Sequence, residues 1–251
     1  MIKEIQTVEA GIERLFFEGN HAAIPFCFTR ADKNFCFDYL EYETKRAPVL
    51  KWRYNPRWNT MREDILFNPQ VHLGEPSTLK SIDIAPESET MIQLLCREMD
   101  LAEFFLNCHI ISIMGFGCEK AANFIFRMDN GAMFSLEAAV TLPPDAVRES
   151  KHTLYTTNGM ITDLVADKVV VTEQIYVFNS GKHPTTYTDS DINLFGLSLE
   201  EQDICYACYA LIDGREDPYT WMAQSNRLIT LAEAALNTLT TGRKFIVNES
   251  S

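Results

Sequence analysis

Val8, Ile12, Leu15 and Phe16 recur at helical spacing and predict an amphipathic helix over Thr7–Glu18, with Gly19-Asn20 as its C-cap. Ala22–Phe28 is short, apolar and strand-like. Phe35–Arg46 reads as a second helix and Pro48–Tyr54 as a second strand, a rhythm that suits a parallel α/β unit. Asn55–Phe67 adds a helix and Leu73–Pro76 a turn. A strand over Thr78–Ile84 then precedes a helix over Glu89–Leu106, capped by Ser88, with Ile92, Leu95, Met99, Ala102 and Leu106 as its apolar stripe.

Beyond Leu106 the period shortens. Ile110–Met114, Ala122–Met128, Ala132–Val140 and Lys151–Thr156 read as strands, the middle two joined by an Asp129-Asn130-Gly131 hairpin turn. Met160–Asp163 and Val169–Phe178 add more strand. Ser198-Leu-Glu-Glu201 has the capping-box pattern for a helix through Ile212. Asp217-Pro218 opens a final helix with Leu228, Leu231, Ala232, Ala235 and Leu239 on one face; Gly242 ends it, and Lys244–Val247 closes the chain as a strand. From residue 77 onward this is an α+β layout: a large, mostly antiparallel sheet with helices on one face.

Composition narrows the picture modestly. The 251 residues suit one large domain or two small ones, and 46% hydrophobic content supports a real core. A net charge of −13 argues against a nucleic-acid partner, because phosphate binding needs clustered Lys and Arg. No signal-peptide pattern opens the chain and no long apolar run suggests a membrane span, so a cytoplasmic protein is expected. Seven Cys, an odd number in apolar surroundings, are expected to be buried reduced thiols.

Several segments carry a resemblance. FRMDNGAMFSLEAA followed by YTTNGMITD, the ending YALIDGREDPYTWMAQSNRLITLAEAALNTLTTGRKFIV, and the crossover LKWRYNPRWNTMREDILFNPQVHLGEPSTLKSI are similar to the glucose–fructose oxidoreductase/inositol dehydrogenase family, usually written Gfo/Idh/MocA. TVEAGIERLFFEGNHA resembles the helix before that family's lysine motif. The resemblance implies an NAD(P)-binding Rossmann domain, followed by a C-terminal α/β domain that holds the sugar and makes a dimer through its open sheet. The glycine-rich turn that lets backbone approach a pyrophosphate would precede residue 1. Residues 1–76 are therefore expected to be a truncated Rossmann remnant, holding two parallel strands, plus the crossover. Residues 77–251 are expected to be the substrate and dimerisation domain.

The resemblance also implies catalytic positions, and here they are degenerate. The lysine position falls at Pro25-Phe26-Cys27, and Phe26 cannot donate a proton; Lys33 lies too far along to be a simple substitute. An Asp and a His four residues apart, on one helix face, fall on Gln93 and Arg97, with Asp100 matching a following acid. Gln exchanges no proton near neutral pH, and Arg stays protonated. Arg97 suits bidentate binding of a carboxylate or phosphate instead.

Other features weigh less. Met114-Gly115-Phe-Gly117 follows a strand, but the segment after it is strand-like, so a turn explains it better than a dinucleotide loop. Cys205-Tyr-Ala-Cys208 lies within a helix and has no second ligand pair, which favours packed thiols. The five His show no metal spacing, and no metal is expected. His152 sits on a strand that either borders a sugar pocket or holds a satisfied histidine. Tyr54, Asn55, Arg57 and Trp58, with Trp52, suit either a sugar or cofactor ring or packing at a domain seam.

Two functions follow. The first is a non-catalytic oxidoreductase homologue that binds a sugar-type ligand or assembles, as a homo-oligomer through its C-terminal sheet or with a full-length relative, without a cofactor. The second is an active NAD(P)-dependent sugar dehydrogenase whose cofactor half lies elsewhere. The strand at Ala22–Phe28 is expected to have its free edge covered. No nucleic acid or membrane is expected as a partner.

Overall fold

Alternation of apolar and polar residues in strands between Pro76 and Thr156 builds five adjacent strands of a nine-stranded sheet, the larger of the two described sheets. The computed structural model describes residues 2–18, 25–32, 35–68, 73–163, 174–179, 185–188 and 197–247. In chain order the elements begin with helix α1 (Ile2–Glu18), strands β1 (Phe26–Thr29), β2 (Asp38–Tyr42) and β3 (Lys45–Val49), a 3-10 turn at Lys51–Tyr54 and helix α2 (Pro56–Leu66). Next come β4 (Pro76–Pro86), α3 (Met91–Leu106), β5 (Ile110–Cys118), β6 (Ala121–Met128), β7 (Met133–Leu142), β8 (Glu149–Thr156) and β9 (Gly159–Thr162). The remainder is β10 (Gln174–Asn179), β11 (Thr185–Thr188), α4 (Leu199–Ile212), α5 (Pro218–Thr241) and β12 (Phe245–Ile246). Among these described residues no helix is long and apolar enough to cross a membrane.

The chain forms two compact units, Met1–Pro56 with Asp191–Arg227, and Arg57–Ser190 with Leu228–Ser251. The division differs from the expected boundary after residue 76. In the first unit α4 packs on α1 and on the 3-10 turn, so residues late in the chain complete a fold begun at its start. Val8 and Ile12 of α1 are fully buried there. A Cβ on Gly11 would lie 2.7 Å from Cys205 Sγ, so the glycine allows the close approach of α1 and α4.

The first three strands correct the sequence reading. They form an antiparallel meander in the order β1-β2-β3, not a parallel Rossmann remnant. The stretch Phe35–Arg46, expected as a helix, holds β2 and the start of β3. Asp38, Leu40 and Tyr42 point inward while Glu41 points out, a period of two that aromatic residues favour. Tyr42 pairs with Lys45, and the two-residue turn between them puts Glu43 at φ 52, a hairpin without the usual Gly or Asn signal. Residues 51–54, expected as strand, form the 3-10 turn. The expected cap at Gly19-Asn20 and the first residues of the Ala22–Phe28 strand lie outside the described residues, as do Lys33, His21, His72, His183 and the start of the Val169–Phe178 strand. β1 is an edge of its sheet, and no described strand pairs with its outer side.

The second unit follows the expected layout. Its sheet runs β11-β10-β9-β8-β4-β7-β6-β5-β12, and only β4 and β7 are parallel. α3 covers β4 and β7 on one face. Leu79, Phe124, Phe126, Phe134, Leu136 and Leu154 pack beneath. Thr90, not Ser88, caps α3, in a box with Gln93, and Asn107 ends the helix in the left-handed region. α3 is buried on nearly all sides, more than one apolar stripe implies. In the first unit, Ser198 and Glu201 form the expected capping box of α4, and Asp217 accepts from Thr220 at the start of α5. The opposite sheet face leaves Phe116, Ile125, Met133 and Tyr155 exposed.

Gly115 lets α5 rest directly on β5. A Cβ there would stand 2.7 Å from Phe124 and from Thr238 Oγ1 and 2.8 Å from Leu239. Gly115→Ala is expected to cost about 1–3 kcal/mol by overpacking, seen as a lowered thermal midpoint. An unchanged midpoint would place α5 farther from the sheet.

Candidate functional site

The inward row of β4 reads Leu79, Ser81, Asp83, Ala85, so two polar residues lie under α3 in phase with the core. Burial of a bare carboxylate is costly, and the neighbouring elements supply partners. Arg97 of α3 places Nη2 2.8 Å from Asp83 Oδ2 and 3.0 Å from Glu98 Oε1. Arg148, just before β8, donates from Nη1 to Asp83 Oδ2 at 2.8 Å and pairs through Nη2 with Glu89. Ser81 Oγ donates to Glu98 Oε2 at 2.5 Å.

His152 links this group to a third carboxylate. It sits on β8 opposite Ser81, with Nε2 3.0 Å from Glu98 Oε2 and Nδ1 3.2 Å from Asp163 Oδ2. The His152 backbone N–H donates to Asp163 Oδ1 at 2.5 Å. Arg57, at the start of α2, approaches Asp163 at 3.6 Å. Trp58 lays its ring against His152 with centroids 5.5 Å apart, and the guanidiniums of Arg57 and Arg97 lie 5.3 and 5.8 Å from the indole. Asp83, Glu98, Asp163 and His152 are all at most 1% exposed.

The protonation states follow from these contacts. Burial alone pushes the His152 imidazole towards neutrality, but Glu98 and Asp163 on its two nitrogens outweigh that and raise its pKa to about 9. Burial pushes the Glu98 carboxyl up, yet His152 and Arg97 hold it at about 2. Asp163 is likewise held below the usual carboxylate range, by His152 and then Arg57 against the effect of burial. Burial raises Asp83 despite Arg97 and Arg148. The network therefore sets Arg57, Arg97, Arg148 and protonated His152 beside the carboxyl groups of Asp83, Glu89, Glu98 and Asp163. Among the described residues each of these cations lies within 4 Å of at least one carboxyl oxygen.

Four of the sequence-predicted residues, Arg57, Trp58, Arg97 and His152, thus come together. Arg97, expected to bind an anion, is engaged with the carboxylates of Asp83 and Glu98. His152 is buried, with both ring nitrogens within hydrogen-bond distance of carboxylates. Asp100 is fully buried in the same helix. Gln93 Oε1 accepts from Thr90 N at 2.7 Å and so closes the helix cap. Tyr54 and Asn55 have partners in the first unit: Tyr54 O–H donates to Glu216 at 3.0 Å, and Asn55 donates to Asp203 at 3.0 Å. Phe26 is half-buried on β1, opposite Tyr42.

Asp83, Glu98, Arg148 and Asp163 were not singled out from the sequence. The signal for Asp83 was its phase with Leu79 and Ala85; the others carry no local signature. The first unit has a smaller ionic cluster of its own. Lys51 Nζ lies 2.9 Å from Asp38 and 2.7 Å from Glu200, and Arg30 also reaches Glu200 at 3.0 Å. Cys205 and Cys208 are buried, and burial pushes the Cys205 thiol up to about 12, which leaves it unreactive. Cys27 and Cys118, expected to be buried, are exposed. Gly117, at φ 129 near the end of β5, pairs with Ala122 of β6, so this segment leads into a hairpin and not a dinucleotide loop.

No protein-family model matches the chain. No curated protein matches it in sequence. Solved structures do share its fold. The scyllo-inositol dehydrogenase of Lactobacillus casei, with bound cofactor NAD(H) and scyllo-inositol, aligns at TM-score 0.57 and 12% identity over 78% of this chain and 63% of that one. A myo-inositol dehydrogenase from Corynebacterium glutamicum ATCC 13032 aligns at 0.56 and 15%, over 80% and 64%. The aldose-aldose oxidoreductase of Caulobacter crescentus, complexed with glycerol, aligns at 0.56 and 11%, over 78% and 62%. The chain shares its fold with these structures over the aligned region and spans under two thirds of their length.

The His152 pKa sets a pH window. Its folded value of about 9 exceeds the ordinary 6.5, so its contribution is complete below pH 6.5 and lost as pH rises through 9. At about 1.4 kcal/mol per unit, the contribution is roughly 3 kcal/mol. His152→Gln is expected to lower the thermal midpoint most below pH 6.5, with the gap to wild type closing above pH 9. A gap independent of pH would mean that His152 is neutral in the fold.

Proposed function

We propose that this chain is a non-catalytic relative of the Gfo/Idh/MocA oxidoreductases whose second unit serves assembly or the binding of a sugar-type ligand. The supporting observation is the state of α3. Arg97 occupies the position where the resemblance places a general acid–base histidine, and it is held by two buried carboxylates. Gln93, at the companion position, closes the helix cap. Neither exchanges a proton near neutral pH, and hydride transfer to or from an alcohol needs a group that does. Phe26 at the lysine position has the same consequence. This support lies within the chain and does not depend on where the chain starts.

Assembly draws support from the open face of the sheet. Phe116, Ile125, Met133 and Tyr155 are each more than 40% exposed there, on β5, β6, β7 and β8. The Lys80–Glu137 pair at 2.9 Å lies among them. An apolar face with an ionic centre suits a second copy of this chain, or a full-length relative, packed sheet to sheet.

The other reading is an active NAD(P)-dependent sugar dehydrogenase with its cofactor half supplied elsewhere. It draws on the fold shared with the scyllo-inositol dehydrogenase that holds NAD(H). Fluorescence titration separates the two readings: the chain is expected to give no saturable signal with NADH or NADPH and no NAD+ reduction with myo-inositol. Micromolar cofactor binding would overturn the non-catalytic reading. For assembly, light scattering after size exclusion is expected to give a dimer. Ile125→Asp is expected to yield a monomer, with stability changed by no more than about 0.5 kcal/mol. A wild-type monomer would remove the assembly role.

A further inference from the structure

Three atoms of the α2–α3–β4 network stand out because they are buried and have no hydrogen-bond partner among the described residues: Arg97 Nε, Trp58 Nε1 and Asp83 Oδ1. Glu98 Oε1 belongs with them, since it meets Arg97 Nη2 as an ion without the alignment of a hydrogen bond. Buried polar groups in folded proteins nearly always have partners, and a concentration of exceptions in one place needs a physical account. Here two are donors and two are acceptors. All four belong to groups around one guanidinium: Arg97 contacts Asp83 and Glu98 directly, and its Cζ lies 5.8 Å from the Trp58 ring.

We propose that this cluster encloses water, held by the Nε–H of Arg97 and the indole N–H of Trp58 as donors and by the free oxygens of Asp83 and Glu98 as acceptors. Two donors beside two acceptors suit a neutral occupant, since a bare cation would leave the two N–H groups unmet and a bare anion the two oxygens. The burial of every contributing atom excludes a ligand that must exchange with solvent. Water fits because it donates and accepts at once, and internal waters typically make about three hydrogen bonds to such groups. The water completes the Asp83 shell, whose Oδ2 already accepts from Arg97 and Arg148. It also occupies the Nε edge of Arg97, the edge from which a carboxylate or phosphate would be gripped bidentately. The proposal stands on the network geometry and is independent of the non-catalytic reading.

The chain has three tryptophans, so the indole region of a nitrogen-15 spectrum is simple to assign. Paired NOE and ROE transfer from water distinguishes a long-lived bound molecule from chemical exchange. The Trp58 indole proton is expected to show a bound-water cross-peak, while Trp221, which donates to Glu216 at 3.1 Å, shows none. Trp58→Phe identifies the resonance by its loss; if that variant does not fold, Trp52→Phe and Trp221→Phe assign it by elimination. A Trp58 indole resonance with no bound-water cross-peak, or with exchange peaks only, would overturn the proposal.

Discussion

Three carboxylates buried beneath one helix require cations, and the architecture of the second unit answers that requirement. Asp83, Glu98 and Asp163 come from β4, α3 and the end of β9. The cations that neutralise them come from α2, α3, β8 and the segment before β8. Removal of one partner of such a buried pair costs about 3–5 kcal/mol, a large part of the stability of an ordinary domain. The elements that carry these groups are therefore held in one arrangement, by electrostatics as well as by the apolar core of Phe124, Phe126 and Phe134.

The same network bears on function. An active site for hydride transfer needs a group that gains and loses a proton near neutral pH. His152 is the only described histidine within the network, and its two carboxylate neighbours keep it protonated to about pH 9. Arg97 is permanently charged and engaged. A set of residues that looks reactive in a list becomes, when placed, a set of mutually neutralising ions. The shared fold with inositol dehydrogenases accounts for the sheet and helices without requiring their chemistry.

Periodicity exposed much of the fold. The β5–β6–β7 run, the Asp129-Asn130-Gly131 turn, the Ser198 box and the long α5 were legible because each rests on local spacing or a local cap. The Phe35–Arg46 segment was not. Its apolar residues fit either period, and a turn at Glu43-Thr44 lacks the residues that usually announce a hairpin. The error then propagated, since a helix between two strands implies a parallel unit where the chain makes an antiparallel meander. The composition of the first unit was not legible either, because α4 joins residues near the start of the chain through contacts far apart in sequence.

For the candidate site, the sequence by itself determined the residue types: a Gln and an Arg four apart on α3, an aromatic-basic pair at Arg57-Trp58, and a histidine on β8. These sufficed to doubt proton transfer at Gln93 and Arg97. Only the tertiary structure decided what Arg97 and His152 do instead. Their partners lie between 11 and 54 positions away in the cases of Asp163 and Glu98 for His152, and 14 for Asp83 with Arg97. A charge has no local periodicity; whether it is free to bind depends on which opposite charge the fold brings within hydrogen-bond distance.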